Sequence, residues 1–350
     1  MRGGIIGLGN VAVHGHLPGW LERQDAEIVA VSDTRPTRRA VAAERVPAAR
    51  WFDSAKALLT DARLDFVDVC APPSSHAPLI RAALERGVHV LCEKPLVRSA
   101  NELAAVADLA RASGCVLHTV HNWHHAPMVR LASDLVRAGE IGRPTRVVWH
   151  TLRTRPAAAG QSGDDNWRLD PAVAGGGVLS DHGWHVSYVI RRWLGGGPPL
   201  AVQARLETRR HTAWPVEDTA SLTISFPGAV ADVFLTWAAD ERRNWAMIEG
   251  EIGRIELRDD TVILAAAGAD RRWTLPPLSA SSHHPEWFGP AADDFLSEIA
   301  SGAPTGANLA EAAVCAMVEH LARESSRRGG VTVDVPPWPA AALAVHPRAT

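Results

Sequence analysis

Two α/β units are expected in this chain, the first with a doubly wound parallel sheet and the second with a mostly antiparallel one. Three observations carry that expectation. A length of 350 residues is more than one ordinary hydrophobic core absorbs. Over residues 1–121, short apolar runs alternate with helical stretches, which is the βαβα rhythm of a parallel sheet covered on both faces. Further on, strand-like runs follow one another with no helix between them, as in an antiparallel sheet.

The elements follow in order. Gly4–Leu8 reads as a strand, weakened by Gly3 and Gly4, that leads into a helix through Arg23. Glu27–Ser32 is a β-rich run and Pro36–Glu44 is helical. Phe66–Cys70, Val88–Cys92 and Val116–Val120 are strands, with helices at His76–Arg86 and Asn101–Ala112. The second unit, 122–335, opens with helices at Met128–Ala138 and Leu179–Leu194 around a loop at Pro156–Asp165. Strands then follow at Ala201–Arg209, Thr219–Phe226, Ala231–Trp237, Ala246–Glu249, Arg254–Leu257 and Val262–Ala265. Helices at Ala291–Ser301 and Leu309–Glu324 precede a Pro/Ala-rich tail, 336–350, expected to be poorly ordered.

Composition narrows the function. A net charge of −3 with no basic run leaves no electrostatic footprint for nucleic acid. Cys70, Cys92, Cys115 and Cys315 are scattered and read as buried thiols of a reducing compartment. No apolar run reaches membrane-spanning length, and the chain enters a strand by Ile5 with no secretory leader before it. A cytoplasmic protein with a small-molecule partner is expected.

Gly7-Leu8-Gly9-Asn10-Val11-Ala12 stands between the first strand and the first helix, where a dinucleotide fingerprint belongs. Gly7 permits the turn, Gly9 lets the backbone approach a pyrophosphate, and Ala12 keeps helix and strand close. Asp33 closes the second strand, 21 residues after Ala12, where a carboxylate accepts both ribose hydroxyls. It should favour NAD and disfavour the 2′-phosphate of NADP, although Arg35, Arg38 and Arg39 nearby keep NADP possible.

Chemistry concentrates at two further places. The chain has only two lysines, and one is Lys94 in Glu93-Lys94-Pro95, at the carboxyl end of a strand where ligands of doubly wound sheets bind. Arginine carries nearly every other positive charge, so a compact ammonium retained here is a candidate for chemistry. Cys70–His76 ends the preceding strand and should face the same cleft, with His76 equally readable as the cap region of the next helix. In Gly175-Gly176-Gly177-Val178-Leu179-Ser180-Asp181-His182-Gly183-Trp184-His185, Asp181 and His185 are four apart. On a helix they share a face near Tyr188, away from the apolar stripe of Leu179, Val186, Val189, Ile190 and Trp193. A carboxylate beside an imidazole would fix its tautomer and make it a better base near neutral pH. The triple glycine reads as a close backbone approach.

Together these motifs resemble the glucose–fructose oxidoreductase / inositol dehydrogenase / MocA-type family over nearly the whole chain. Pro72–His76, Asn122-Trp123-x-x-Ala126-Pro127, Trp167-Arg168-x-Asp170 and Val216–Ala220 add to the likeness. The resemblance implies a Rossmann domain, then an α/β domain with a large open sheet that often makes dimers or tetramers, and a cis Lys-Pro bond. It maps the catalytic lysine, aspartate and histidine onto Lys94, Asp181 and His185. Cofactor contacts are then expected from Gly7, Gly9, Asn10, Val11, Asp33, Thr34, Pro72, His76, Glu93 and Lys94. Substrate contacts are expected from Asn122, Trp123, Trp167 and Arg168, with Asp165 beside them. Ser75 and His182-Gly183-Trp184 depart from the usual pattern and point to a differently lined substrate pocket.

The implied activity is hydride transfer between NAD(P) and a hydroxyl or keto carbon of a sugar, cyclitol or related polyol. An NAD-dependent glycosidase and a catalytically silent NAD-binding regulator are the alternatives. No metal is expected: His118, His121, His124 and His125 have ligand-like spacing, but a strand through Val120 should turn them to alternate faces.

Overall fold

The computed structural model describes residues 1–336 other than 159–165, 267, 281 and 303. The loop residue Asp165 and tail residues 337–350 therefore lie outside the described residues.

The first sheet contains β1 (Arg2–Ile6), β2 (Glu27–Ser32), β3 (Arg50–Phe52), β4 (Phe66–Val69), β5 (His89–Cys92) and β6 (Leu117–Thr119). All pairs are parallel, in the order β3-β2-β1-β4-β5-β6. The order reverses direction between β1 and β4, and that switch point opens a crevice beyond their carboxyl ends. Gly7 leaves β1 there and Cys70–Pro72 leave β4. The strand β3 and the helix Ala55–Asp61, capped by Ser54, were not expected from the sequence. A three-residue strand is too short for a two-residue period to declare itself.

The second sheet has nine strands: β7 (Pro144–Leu152), β8 (Ala201–Glu207), β9 (Thr219–Phe226), β10 (Ala229–Thr236), β11 (Arg243–Gly250), β12 (Gly253–Arg258), β13 (Thr261–Ala266), β14 (Ala269–Thr274) and β15 (Val333–Asp334). Their order is β14-β13-β12-β11-β7-β10-β9-β8-β15, and only β7 and β10 run parallel. The central strand β7 is the main element missing from the sequence reading. Val147, Trp149 and Thr151 are buried in turn, but the apolar Val148 between the first two and the polar Thr151 on the buried face blur the two-residue period.

Two apolar clusters hold the molecule together. One lies between the sheets and their helices. The other, under the first sheet, combines Ile5, Leu8, Trp20, Phe66 and Leu91 with Phe288 and Phe295. The last two belong to the helix Pro285–Ser301, which starts earlier than the expected Ala291 and carries Pro290 within its second turn. Although it falls in the second unit by sequence, this helix packs on the first. Helices Trp184–Trp193 and Ala307–Arg327 cover the second sheet. The expected apolar stripe on the former is buried, with Val189 and Ile190 at 0% exposure.

Candidate active site

A cleft of about 510 Å³ runs from the glycine turn to the amino end of the helix at 184–193. At its nucleotide end, Gly7 has φ +95°, and a Cβ there would sit 2.9 Å from the Ala71 nitrogen. Only glycine fits this turn. At Gly9, by contrast, a Cβ would meet nothing within 4 Å, which is the open approach that a pyrophosphate needs. Asn10, Val11, Thr34 and Pro72 line the same end. Asp33 accepts the Leu8 N–H at 2.8 Å, and the Arg35 guanidinium grips both of its oxygens at 3.0 Å. Burial pushes this carboxyl up, but those hydrogen bonds outweigh it and hold it below the usual range. Arg35, which the sequence offers as a possible partner for a 2′-phosphate, is thus already the partner of the expected ribose ligand.

His76 corrects another expectation. It is fully buried and absent from the cleft wall. Its Nδ1 lies 2.8 Å from the Pro95 carbonyl and its Nε2 2.8 Å from the Ala71 carbonyl, and since burial disfavours its charged form the ring sits between the two cleft-forming loops and donates to one carbonyl at a time. Glu93 lines the cleft, yet both its oxygens are engaged: one accepts the Lys94 backbone N–H at 3.0 Å and the other faces His16 Nε2 at 3.1 Å. His16 also meets Asp68 at 2.9 Å. Burial opposes its charge, but Asp68 holds the imidazole pKa well above its ordinary value. Glu93 therefore anchors the backbone from which Lys94 projects, across a Lys94-Pro95 bond that is cis.

At the other end, the Lys94 ammonium donates to the Asp181 carbonyl at 2.8 Å and to its Oδ1 at 3.2 Å. The Arg168 Nε is 3.5 Å from the same oxygen, with its guanidinium 4.3 Å over the Trp167 ring. Burial pushes the Asp181 carboxyl up, but Lys94, His182 and Arg168 hold it well below the usual range. Asn122 also lines the cleft, and its Oδ1 is buried with no partner among the described residues.

Asp181 and His185 are not a hydrogen-bonded pair. Residues Leu179–Gly183 form a wide π-type turn before the regular helix begins at Trp184. The two side chains are taken up by different partners, Asp181 by Lys94 and Arg168 and His185 by Tyr188. The His185 Nδ1 instead meets the Tyr188 hydroxyl at 2.8 Å, and its ring stacks on Trp123 at 4.5 Å. Tyr188 already accepts the Trp123 N–H at 3.0 Å. Among the described residues the Tyr188 proton finds its acceptor at His185 Nδ1, an arrangement that assigns the His185 proton to Nε2. Burial, then the Lys94 charge, pushes the His185 pKa well below its ordinary value.

The triple glycine serves packing. A Cβ on Gly176 would fall 1.7 Å from the Arg323 guanidinium, and one on Gly177 1.9 Å from the Glu217 carbonyl, which accepts the Val178 N–H at 3.0 Å. We expect Gly177→Ala to destabilise the protein by about 2 kcal/mol or more, because backbone must move and a buried hydrogen bond is lost. Chemical denaturation checks this; an unchanged midpoint would contradict it.

The histidines behind β6 also depart from expectation. The strand ends at Thr119 and residues 122–125 form a tight turn, so His121 and His124 converge on Glu311, at 2.9 and 2.8 Å. The Trp184 Nε1–H donates to His121 Nε2 at 3.0 Å, which leaves the His121 proton on Nδ1, directed at Glu311. Metal ligation through Nδ1 would need that proton on Nε2, facing another donor. The cluster is thus a set of hydrogen bonds in its own right.

A glycine turn, an acidic residue closing the second strand, and a lysine beyond the fifth strand of a switched parallel sheet define a dinucleotide-binding α/β protein of two units. Residues 1–121 match the oxidoreductase family with an NAD-binding Rossmann fold, and residues 129–256 match the GFO/IDH/MocA C-terminal domain. The chain belongs to the GFO/IDH/MocA oxidoreductase family.

Its relatives include D-xylose 1-dehydrogenase (NADP(+)) 2 of Haloferax volcanii, 34% identical over 56% of this chain and 58% of that one. The D-glucoside 3-dehydrogenase of Escherichia coli is 37% identical over 36% of this chain and 35% of that one. The chain therefore matches less than two thirds of either. Levoglucosan dehydrogenase of Pseudarthrobacter phenanthrenivorans is 26% identical over 87% of this chain and 89% of its own. The structure of a levoglucosan dehydrogenase with NADH and levoglucosan superposes with a TM-score of 0.82, at 25% identity, over 96% of this chain and 99% of that one. No helix among the described residues is long and apolar enough to cross a membrane.

Arg153 and Arg242 line the cleft without having been named as site residues, and His182, singled out as a departure from the family pattern, lines it as well. Arg153 directly follows β7, the strand the sequence reading missed, so finding it required first finding the strand.

Proposed function

We propose that this protein is an NAD-dependent dehydrogenase or reductase acting on a CH–OH or keto carbon of a sugar, cyclitol or related polyol. The observation that carries the reading is the meeting of Lys94, Asp181 and His185 in the cleft that begins at Gly7 and Gly9. The open space at Gly9 and the carboxylate at the tip of β2 fit a dinucleotide, with Asn10, Val11, Thr34 and Pro72 along it. Bound there, the nicotinamide would supply hydride acceptance or donation.

The residues would do the rest. Asp181 holds Lys94 through two contacts, which leaves the third ammonium proton for the reacting oxygen and its developing charge. His185 exchanges a proton at Nε2. In its resting tautomer it offers an N–H, the form suited to a carbonyl oxygen. To accept a hydroxyl proton it must move its own proton to Nδ1, which leaves the Tyr188 hydroxyl without an acceptor at a cost of about 1–3 kcal/mol. Trp123, stacked on both His185 and Trp149, supports the histidine, while Trp167, with Arg168 over its ring, lines the substrate end and Asn122 offers an acceptor for a hydroxyl. A screen of sugars and cyclitols with NAD tests the reading: net reduced nicotinamide should accumulate with at least one. Turnover of glycosides with no net reduction would favour the glycosidase alternative.

Asp33 sets the cofactor preference. A 2′-phosphate would face this carboxylate and gain Arg35 only by breaking its bidentate pair. NADH should therefore bind more tightly than NADPH, and Asp33→Ser should narrow or invert the ratio by releasing Arg35. Dissociation constants for both nucleotides check this. Tighter NADPH binding by the parent protein, or a ratio unmoved by the substitution, would contradict it.

A further inference from the structure

We propose that the substrate carries an anionic group, a carboxylate or a phosphate, and that Arg153 supplies its counter-charge. The inference rests on the reading above for the place of the substrate, and on the charges around that place for its chemistry.

Arg153 lines the cleft and is 3% exposed. Its guanidinium donates to the carbonyls of Leu152 and Arg243, at 2.7 and 3.0 Å, and to Asn244 Oδ1 at 3.2 Å. All three acceptors are neutral, and its Nε is buried with no partner. No carboxylate among the described residues is in ion-pair contact with it, and Asp181, already held by Lys94 and Arg168, acts on it only from a distance. A buried cation without a counter-ion is costly, so such sites are normally completed by an anion.

Three further cations stand close to Arg153. Lys94 and Arg168 share one carboxylate, that of Asp181. Arg242 also lines this end, donating to the Ser279 carbonyl at 2.7 Å and the Ser282 hydroxyl at 3.3 Å. Among the described residues, the other acids lining the cleft face cations of their own: Glu93 has His16 and Asp33 has Arg35. The titration of neighbouring groups agrees. Burial pushes Arg153 down to about 9, with Arg242 adding to it and Asp181 pulling the other way. Burial also pushes His182 down to about 3, against the pull of Asp181 and with the help of Arg153, Lys94 and Arg242. A neutral polyol would leave these cations as they are. A sugar acid or sugar phosphate would give the buried guanidinium a charge-assisted partner.

The test compares matched probes on the intact protein. Glucuronate with glucose, galacturonate with galactose, and glucose 6-phosphate are assayed for kcat/KM with NAD and for calorimetric binding to the NADH-loaded protein. At least one anionic probe should exceed its neutral counterpart by about tenfold or more. Whether the sugar acids or the phosphate lead distinguishes the two anions. Arg153→Gln should erase the ratio and Arg153→Lys should keep part of it. If the glutamine variant does not fold, the lysine variant and loss of the ratio at high salt carry the test. Equal or better use of the neutral sugars would overturn the proposal, as would a ratio unchanged in Arg153→Gln. Turnover confined to neutral sugars would refute the anion site and leave the dehydrogenase reading standing. Arg153-dependent binding of an anionic sugar without turnover would do the reverse.

Discussion

Lys94→Met should bind NADH with nearly the parent affinity and lose about a thousandfold in kcat. Its side chain keeps the bulk of the lysine stem but deletes the one ammonium that Asp181 aims with two contacts at 2.8 and 3.2 Å. Removal of a preplaced donor for developing negative charge typically costs about 10²–10³, and a full positive charge lies at the upper end of that range. Lys94→Arg should not restore the rate. The guanidinium fork is broader than an ammonium, and Arg168 already crowds the same carboxylate oxygen at 3.5 Å. Steady-state rates with fluorescence titration of NADH separate the effects. Equal turnover in mutant and parent would remove Lys94 from the chemistry, and lost NADH affinity would place it in cofactor binding.

His185→Ala should cost roughly 10²–10⁴ in kcat and abolish the acid limb of the pH–rate profile for alcohol oxidation. The position of that limb follows from the sign of the shift. As a base, His185 works only when neutral, so activity rises with pH through its pKa. Burial and the Lys94 charge depress that pKa well below the ordinary imidazole value. The limb should therefore lie on the acid side of neutrality, not at neutral pH as expected from an isolated carboxylate–imidazole pair. Asp181 contributes in the opposite sense, favouring the imidazolium, so Asp181→Asn should move the limb further to acid. A limb centred at neutral pH, or one unmoved in the asparagine variant, would contradict this account.

How much of the site was legible follows from where each residue stands on its element. Gly7, Asp33 and Lys94 end strands of a parallel sheet, and the carboxyl ends of such strands converge whatever the details of packing. A shared helix face does not make Asp181 and His185 a pair, because Lys94 and Arg168, distant in sequence, hold the carboxylate while Tyr188 holds the imidazole. The reading of His121 and His124 failed because the strand stops before them and the turn brings both to Glu311. Arg35 closing on Asp33 is a rotamer choice that spacing does not encode. His76 carries the residue type of a ligand, but its burial between two carbonyls depends on how the loops at Ala71 and Pro95 pack. In the second unit, β7 was overlooked because its two-residue period is blurred, and with it Arg153.

The central claim, that this cleft carries out hydride transfer to or from a carbon of a hydroxylated substrate, is tested most directly by following that hydride. Carbon-deuterated sugars and sugar acids would be incubated with the protein and NAD in a single turnover, and the nucleotide examined by mass spectrometry. The account predicts deuterium in the reduced nicotinamide, in amounts that match the oxidised product and vanish with Lys94→Met. Product formation with deuterium retained in the sugar or lost to water, and none in the nucleotide, would contradict it.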